Sequence, residues 1–302
     1  MTCYSPLKGW RAHTVNASGK RPVVFERSAA FTDLPVEIPC GQCIGCRLER
    51  SRQWAIRCSH EAQLHEENSF ITLTYSDDHV PADRSLDYRH FQLFIKRLRR
   101  SLDHKIRYYH CGEYGEIYGR PHYHACIFGH AFEDKKPWKK SNDEILYRSS
   151  TLERLWLYGY SSIGNVNFQS AAYVARYILK KITGDAAEEH YEYINPETGE
   201  ITQRKPEYTT MSRRPGIGTR WFQKFNSDVY PSDEVIIKGI KMRPPKFYDG
   251  LYEILSPAEH KKIKRQRKAD ALKYSDDQTP ERLKVRCQVQ KSKINLLPRK
   301  VE

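Results

Sequence analysis

The stretch KIRYYHCGEYGEIYGRPHYHACIFG, Lys105–Gly129, decides the fold. Its two ends, KIRYYHCGE (Lys105–Glu113) and PHYHACIFG (Pro121–Gly129), are rich in aromatic and apolar residues and read as strands. Between them EIYG supplies a tight turn, with Gly119 suited to positive φ. Two strands joined this closely pair antiparallel. Alternation along the second strand puts His122 and His124 on one face. If Tyr118-Gly119 is a two-residue turn, Glu113 lies directly opposite His124, about 5 Å away at the side-chain origins. Two imidazoles and a carboxylate so placed would share one divalent ion and leave positions open for a phosphate oxygen and water. Glu116, nearer the turn, is the weaker third ligand. A lone His-x-His carries little weight among 12 His in 302 residues, so the pair gains its meaning from Glu113.

Outward from the hairpin, FITLTY (Phe70–Tyr75) is a third strand. Asp87 caps a helix whose apolar residues Phe91, Phe94, Ile95, Leu98 and Leu102 recur at helical spacing. SSIGNVNFQ is a short strand, and Ser170 caps a helix, AAYVARYILKKIT, that stops at Gly184. A helix runs from Ile44 to about Glu67, behind an irregular, Pro-bearing start over residues 1–40. Residues 185–230 hold a turn-rich insertion and the basic SRRPGIGTRW. Ser256-Pro257-Ala258-Glu259 opens a charged helix reaching about Tyr274, which is expected to stay off the core. The last 28 residues read as flexible. This order predicts an α+β fold, a central antiparallel sheet with helices on one face. Three segments follow: a Cys-bearing part over 1–66, a core over 67–230 and a basic extension over 231–302.

The 302 residues have a 39% hydrophobic and 29% charged composition, that of a globular chain. No apolar run approaches the roughly 18–20 residues of a membrane span, and no apolar signal opens the chain. Net charge is +14, which points to a polyanionic partner, nucleic acid first. From Lys238 to Glu302 there are 18 Lys/Arg against 8 Asp/Glu, a surplus of 10. Eight cysteines without a signal sequence are expected to be reduced thiols of a cytosol. Three cluster in PCGQCIGCR as Cys40, Cys43 and Cys46, and Cys58 follows as a possible fourth ligand of a structural Zn²⁺. The alternative is small buried cysteines packing a turn.

A metal that polarises a phosphodiester needs a nucleophile, and tyrosine can attack phosphorus and hold a DNA end. Tyr-x-x-x-Tyr occurs as Tyr114/Tyr118, Tyr173/Tyr177 and Tyr248/Tyr252. The first straddles Gly115 at the hairpin, and the last straddles the turn signal Asp249-Gly250. Only Tyr173/Tyr177 is expected in an unbroken helix, where i and i+4 share a face, followed by Lys180 and Lys181 for phosphates. A plain amphipathic core helix packed through Val174, Ile178 and Leu179 would read the same way.

The order FITLTY, GRPHYH, AAYVARYILKK resembles the three motifs of HUH endonucleases, the rolling-circle replication initiators. Two tyrosines resemble the initiators of the Microviridae, and PCGQCIGCR with SRRPGIG resembles their gokushovirus branch. The resemblance runs from about Pro39 to Phe225 and does not cover the tail. It implies His122 and His124 as metal ligands for Mg²⁺ or Mn²⁺, and Tyr173 and Tyr177 as nucleophiles. It also implies strand-specific nicking of replicative-form DNA, a 5′-phosphotyrosine, and closure of a single-stranded circle. Arg120, Arg176, Arg213 and Arg214 are the expected DNA contacts. The partners expected from the resemblance are single-stranded and replicative-form DNA and the host helicase and polymerase, in the cytoplasm of a bacterial host. Rival readings are a plasmid- or transposon-type HUH nickase and a non-catalytic basic nucleic-acid-binding protein.

Overall fold

The computed structural model describes residues 3–115, 119–141, 144–176, 186–195 and 198–296. Two compact units form, one from residues 1–49 with 264–298 and one from residues 50–263.

In the first unit, β1 (Leu7–Ala12), β2 (Val23–Val24) and β3 (Ala30–Ile38) make an antiparallel sheet in the order β2-β1-β3. The expected irregular start is therefore corrected. These strands bury little beyond Gly9, Ala12 and Ala30, so no apolar alternation announces them. Helix α1 (Ile44–Ala62) follows.

The second unit is built on β4 (Asn68–Tyr75), α2 (Tyr88–Arg100), β5 (Arg107–Tyr114), β6 (Pro121–Phe128), β7 (Lys136–Ser141), β8 (Glu144–Arg148), α3 (Ser150–Leu155), β9 (Gly159–Gly164) and α4 (Phe168–Arg176). It continues through α5 (Ala186–Tyr191), β10 (Glu192–Ile194), β11 (Ile201–Gln203), β12 (Tyr208–Met211), α6 (Thr219–Val229), β13 (Val235–Ile237), β14 (Ile240–Met242), α7 (Lys246–Leu255) and the start of α8 (Pro257–Leu272). The last element is α9 (Pro280–Asn295), where a flexible tail was expected. Pro280 opens α9 and the Thr279 hydroxyl caps it by accepting from the Arg282 N–H.

Seven strands form one antiparallel sheet in the order β12-β5-β6-β4-β9-β8-β7. Strands β7, β8 and β12 were missed in the sequence. They are edge-ward and polar or short, as in KPWKKS and YTTM. Helices cover both faces of the sheet, not one. On the first face Ile71, Leu73, Tyr75, Tyr123, Ala125 and Ile127 meet Phe91, Phe94 and Leu98 of α2. Asp87 caps that helix by accepting from the Arg89 N–H at 2.8 Å. On the second face Phe70, Tyr109, Cys111, Cys126 and Phe128 meet Ala55 and Cys58 of α1 and Ala171, Val174 and Ala175 of α4. The period of two thus divides every central strand between two buried faces, which is why β4 and β6 look almost continuously apolar.

A third apolar cluster joins Ile56, Trp221, Phe222, Val229, Tyr230, Tyr248, Tyr252 and Ile263. The expectation that the Ser256 helix stays off the core is corrected by this, because His260 and Ile263 are buried in its first two turns. Beyond them α8 is charged all round, as read.

Candidate active site

The hairpin register differs from the two-residue-turn reading. Glu113 pairs with His122 and Cys111 with His124. The loop is six residues long, closed by Gly115 N–H donating to the Arg120 carbonyl at 2.9 Å. The register moves by two residues, so every side chain keeps its face. Glu113 now meets His124 on the diagonal, its Oε1 2.7 Å from His124 Nε2, and both residues are buried.

His124 is held from two more sides. Its Nδ1 lies 2.9 Å from the Thr72 hydroxyl, and Phe70 stacks on the ring at 5.9 Å. Sequence reasoning passed over Thr72 and Phe70. The alternation of FITLTY could have found them, since it places both on the face of His124 across the register pair Thr72–His124. His122 lies parallel to His124 with ring centres 6.4 Å apart. Its Nδ1 donates to the Arg120 carbonyl at 2.7 Å, and because a carbonyl only accepts, Nε2 keeps its lone pair. Two imidazoles and a carboxylate on one sheet face are a donor set suited to a divalent ion.

Helix α4 brings a tyrosine to this face. It begins at Phe168, earlier than read: the Asn167 side chain accepts from Ser170 N–H, and the Ser170 hydroxyl accepts from Asn167 N–H, each at 2.8 Å. Ser170 is thus the returning partner of a reciprocal cap rather than the cap itself. Ala171, Val174 and Ala175 pack on the sheet, their small size letting the helix lie close. Tyr173, half-buried, meets His124 edge-on at 5.1 Å and 90°, and Phe70 at 6.2 Å. Tyr177, Lys180, Lys181 and the Arg176 side chain lie outside the described residues, as do Glu116 and Tyr118.

The other tyrosines are accounted for by burial. Tyr248 and Tyr252 sit in the third cluster, within an α7 that runs unbroken through Asp249-Gly250. The turn reading of that pair was incorrect, and burial is what removes it from the site. Tyr114 is also buried, donating to the Lys205 carbonyl at 2.7 Å.

The basic residues divide. Arg120 donates to the Tyr75 carbonyl at 2.8 Å and pairs with Asp77, so it ties the hairpin to the end of β4. Arg213 and Arg214 are exposed. Their loop is anchored below by Glu61, which accepts from Gly218 N–H at 2.7 Å and from Arg107 at 2.5 Å. Burial raises the Glu61 pKa, but hydrogen bonds from His65 and Gly218 and the Arg107 charge outweigh it and hold the carboxyl low.

The cysteines fall into a different set from the one expected. Cys58 is fully buried in the second-face cluster. The fourth thiol beside Cys40, Cys43 and Cys46 is Cys3, and the four sulfurs lie within 4.8 Å of one another. A ligand 37 residues upstream leaves no spacing signal.

Comparison with known proteins places this geometry. The family model for replication-associated proteins of the ORF2 type matches residues 68–182, which hold β4, the hairpin and α4. The chain is 33% identical over 264 residues to the replication-associated protein VP4 of Bdellovibrio phage phiMH2K, covering 84% of this chain and 78% of that one. It is 34% identical over 226 residues to the replication-associated protein ORF2 of Spiroplasma virus 4, covering 70% of this chain and 66% of that one. With the replication-associated protein ORF4 of Chlamydia phage 1 it shares 30% identity over 223 residues, 71% of this chain and 53% of that one. No solved structure matches. Among the described residues no helix is long and apolar enough to cross a membrane.

Proposed function

The chain belongs to the replication-associated proteins of small phages, and from that premise we propose that it nicks and rejoins DNA to start rolling-circle replication. The observation that carries the reading is the Tyr173 ring set perpendicular to His124 at 5.1 Å, on the face that also holds His122 and Glu113.

The reaction is a transesterification. The Tyr173 hydroxyl oxygen attacks the scissile phosphorus, the bond from phosphorus to the 3′ oxygen breaks, and the phenolic proton leaves to solvent. The 3′ oxygen takes up a proton and becomes a free hydroxyl, while the 5′ phosphate stays on tyrosine. One phosphodiester replaces another, so rejoining needs no nucleotide. His122, His124 and Glu113 would hold Mg²⁺ or Mn²⁺, which supplies Lewis-acid charge at a phosphate oxygen. Thr72 and Phe70 fix the His124 ring, and the Arg120 carbonyl fixes that of His122. Exposed Arg213 and Arg214 take flanking phosphates, with Arg176, Lys180 and Lys181 assigned to the same role by the motif resemblance. Tyr177, one helical turn on, is the second nucleophile that closes the circle. The 3′ hydroxyl is what the host polymerase extends, behind the host helicase, in the bacterial cytoplasm.

The test is incubation with labelled single-stranded oligonucleotides tiling the genome that encodes the chain, with Mn²⁺. We expect a protein–DNA adduct that survives denaturation and maps to Tyr173 or Tyr177. Salt-sensitive binding with no adduct on any oligonucleotide would favour a non-catalytic binding protein instead.

A further inference from the structure

We propose that Cys3, Cys40, Cys43 and Cys46 bind one Zn²⁺ as a tetrathiolate that staples the N-terminal sheet to the start of α1. The sulfur spacing fits a single ion. Tetrahedral zinc with bonds of about 2.3 Å sets its sulfurs about 3.8 Å apart. Cys3 and Cys40 stand 3.7 Å apart, and Cys3 and Cys43 3.9 Å apart. A disulfide needs about 2 Å, and a multi-iron cluster would spread its thiolates further than this.

The surroundings fit thiolates. Three backbone amides donate to sulfur: Tyr4 to Cys43 at 3.3 Å, Cys40 to Cys3 at 3.3 Å and Cys43 to Cys40 at 3.2 Å. The last is made possible by Gly41 at φ +76°, a left-handed turn that a side chain would strain. Cys43 immediately precedes α1 and Cys46 lies in its first turn, where the positive end of the helix favours negative charge.

The unit itself supplies the reason for a metal. Among the described residues of 1–49 and 264–298, the buried apolar side chains are Cys3, Ala12, Ala30 and Leu283, and none joins an apolar cluster. A small unit without a core is held by covalent or coordinate cross-links. A zinc joining residue 3 to residues 40, 43 and 46 closes the loop that contains all three strands. On binding, four S–H bonds break, four Zn–S bonds form and the protons pass to buffer. This inference is independent of the nicking reading.

Full-length chain purified without chelator, measured by elemental analysis, should carry one zinc per chain and no stoichiometric iron. In the native chain, alkylation mapped by mass spectrometry should label Cys287 and spare Cys3, Cys40, Cys43 and Cys46 until a mercurial displaces the ion. Cys3→Ser should lose the zinc, and Cys58→Ala should keep it. If Cys3→Ser is insoluble, Co²⁺ exchanged into the native chain should give the visible bands of a tetrahedral tetrathiolate. Iron in place of zinc, no metal with all four thiols reactive, zinc retained by Cys3→Ser, or zinc lost by Cys58→Ala would each overturn the proposal.

Discussion

His124 is fixed by three neighbours of different chemistry, the Glu113 carboxylate, the Thr72 hydroxyl and the Phe70 ring. A site residue so constrained acts through placement, so its loss should affect chemistry more than affinity. His124→Ala and His122→Ala should lower adduct formation on the order of 100-fold or more, as is usual for removing transition-state charge stabilisation. Glu113→Gln should cost less, on the order of 10-fold, because it keeps the hydrogen bond but loses the charge. Binding to the same oligonucleotide, carried by Lys and Arg, should stay within about twofold. Gel quantification of adduct beside a filter-binding titration checks both, and an equal loss of binding and adduct would contradict the division of labour. The histidine pair was legible in the sequence because a strand shows its face by alternation. The register was not, because loop length decides it, and the hairpin closes through Gly115 and Arg120 rather than at Tyr118-Gly119. A second prediction concerns His60, stacked on Trp221 at 3.5 Å with Nδ1 3.0 Å from the Tyr248 hydroxyl. Burial pushes its pKa down to about 3. Below the unfolded value near 6.5 the unfolded chain takes up a proton that the fold refuses, so stability falls as pH drops from about 6.5 toward 3. His60 alone contributes about 1.4 kcal/mol per pH unit across that window. Denaturant melts at pH 7, 6 and 5 should show His60→Gln losing one proton's worth of slope, and an unchanged slope would refute this.

At the level of elements, α4 and α7 carry the same Tyr-x-x-x-Tyr spacing and have opposite fates. The sequence argument separated them by Asp249-Gly250, yet α7 passes through that dipeptide as helix. An exposed helical glycine costs only about 1 kcal/mol, which the burial of Tyr248 and Tyr252 on α1 and α6 offsets. What distinguishes the two helices is the surface each meets. The tyrosines of α7 point into an apolar cluster, whereas α4 sends its alanines and Val174 to the sheet and leaves Tyr173 beside a histidine. Paired substitutions should therefore diverge. Tyr248→Phe should lower stability by about 1–2 kcal/mol, through the lost hydroxyl contact to His60, and leave adduct formation intact. Tyr173→Phe should leave stability within about 0.5 kcal/mol, since its ring stays, and reduce the adduct to what Tyr177 forms. Melting and adduct assays on the same preparations decide it, and an adduct peptide containing Tyr248 or Tyr252 would overturn the choice of helix. The missed strands have a shared cause. Strand β12 is four residues beside Tyr109–Gly112, and β1 to β3 face mostly water, so neither offers the two-residue apolar period by which β4, β5 and β6 were read.

For the whole molecule the governing quantity is a net charge of +14 whose surplus of 10 lies beyond Ile237. Sequence alone makes that stretch look detachable, a basic tail that adds affinity and nothing else. The packing divides it differently. Tyr248, Tyr252 and Ile263 belong to the same apolar cluster as Ile56, Trp221 and Val235, so ending the chain near residue 235 strips part of a core. Burying an aromatic side chain stabilises a fold by roughly 3–5 kcal/mol against its deletion, and two are lost at once, more than half of a typical 5–15 kcal/mol of net stability. Such a truncation should yield aggregated or protease-sensitive protein, not a soluble nickase. Charge reversal separates affinity from folding more cleanly. Lys264, Arg265, Lys268, Lys284, Lys291 and Lys293 are exposed on α8 and α9, and among the described residues no core cluster includes them. Replacing all six by Gln should leave the melting temperature within a few degrees and keep adduct formation on a short oligonucleotide. Each of them that contacts a phosphate should reduce the slope of log affinity against log salt by about 0.9 on duplex DNA and about 0.7 on single strands. A wild-type slope in the six-fold variant would show that nucleic acid does not lie along these helices, and the surplus charge would then serve the solubility of the free chain.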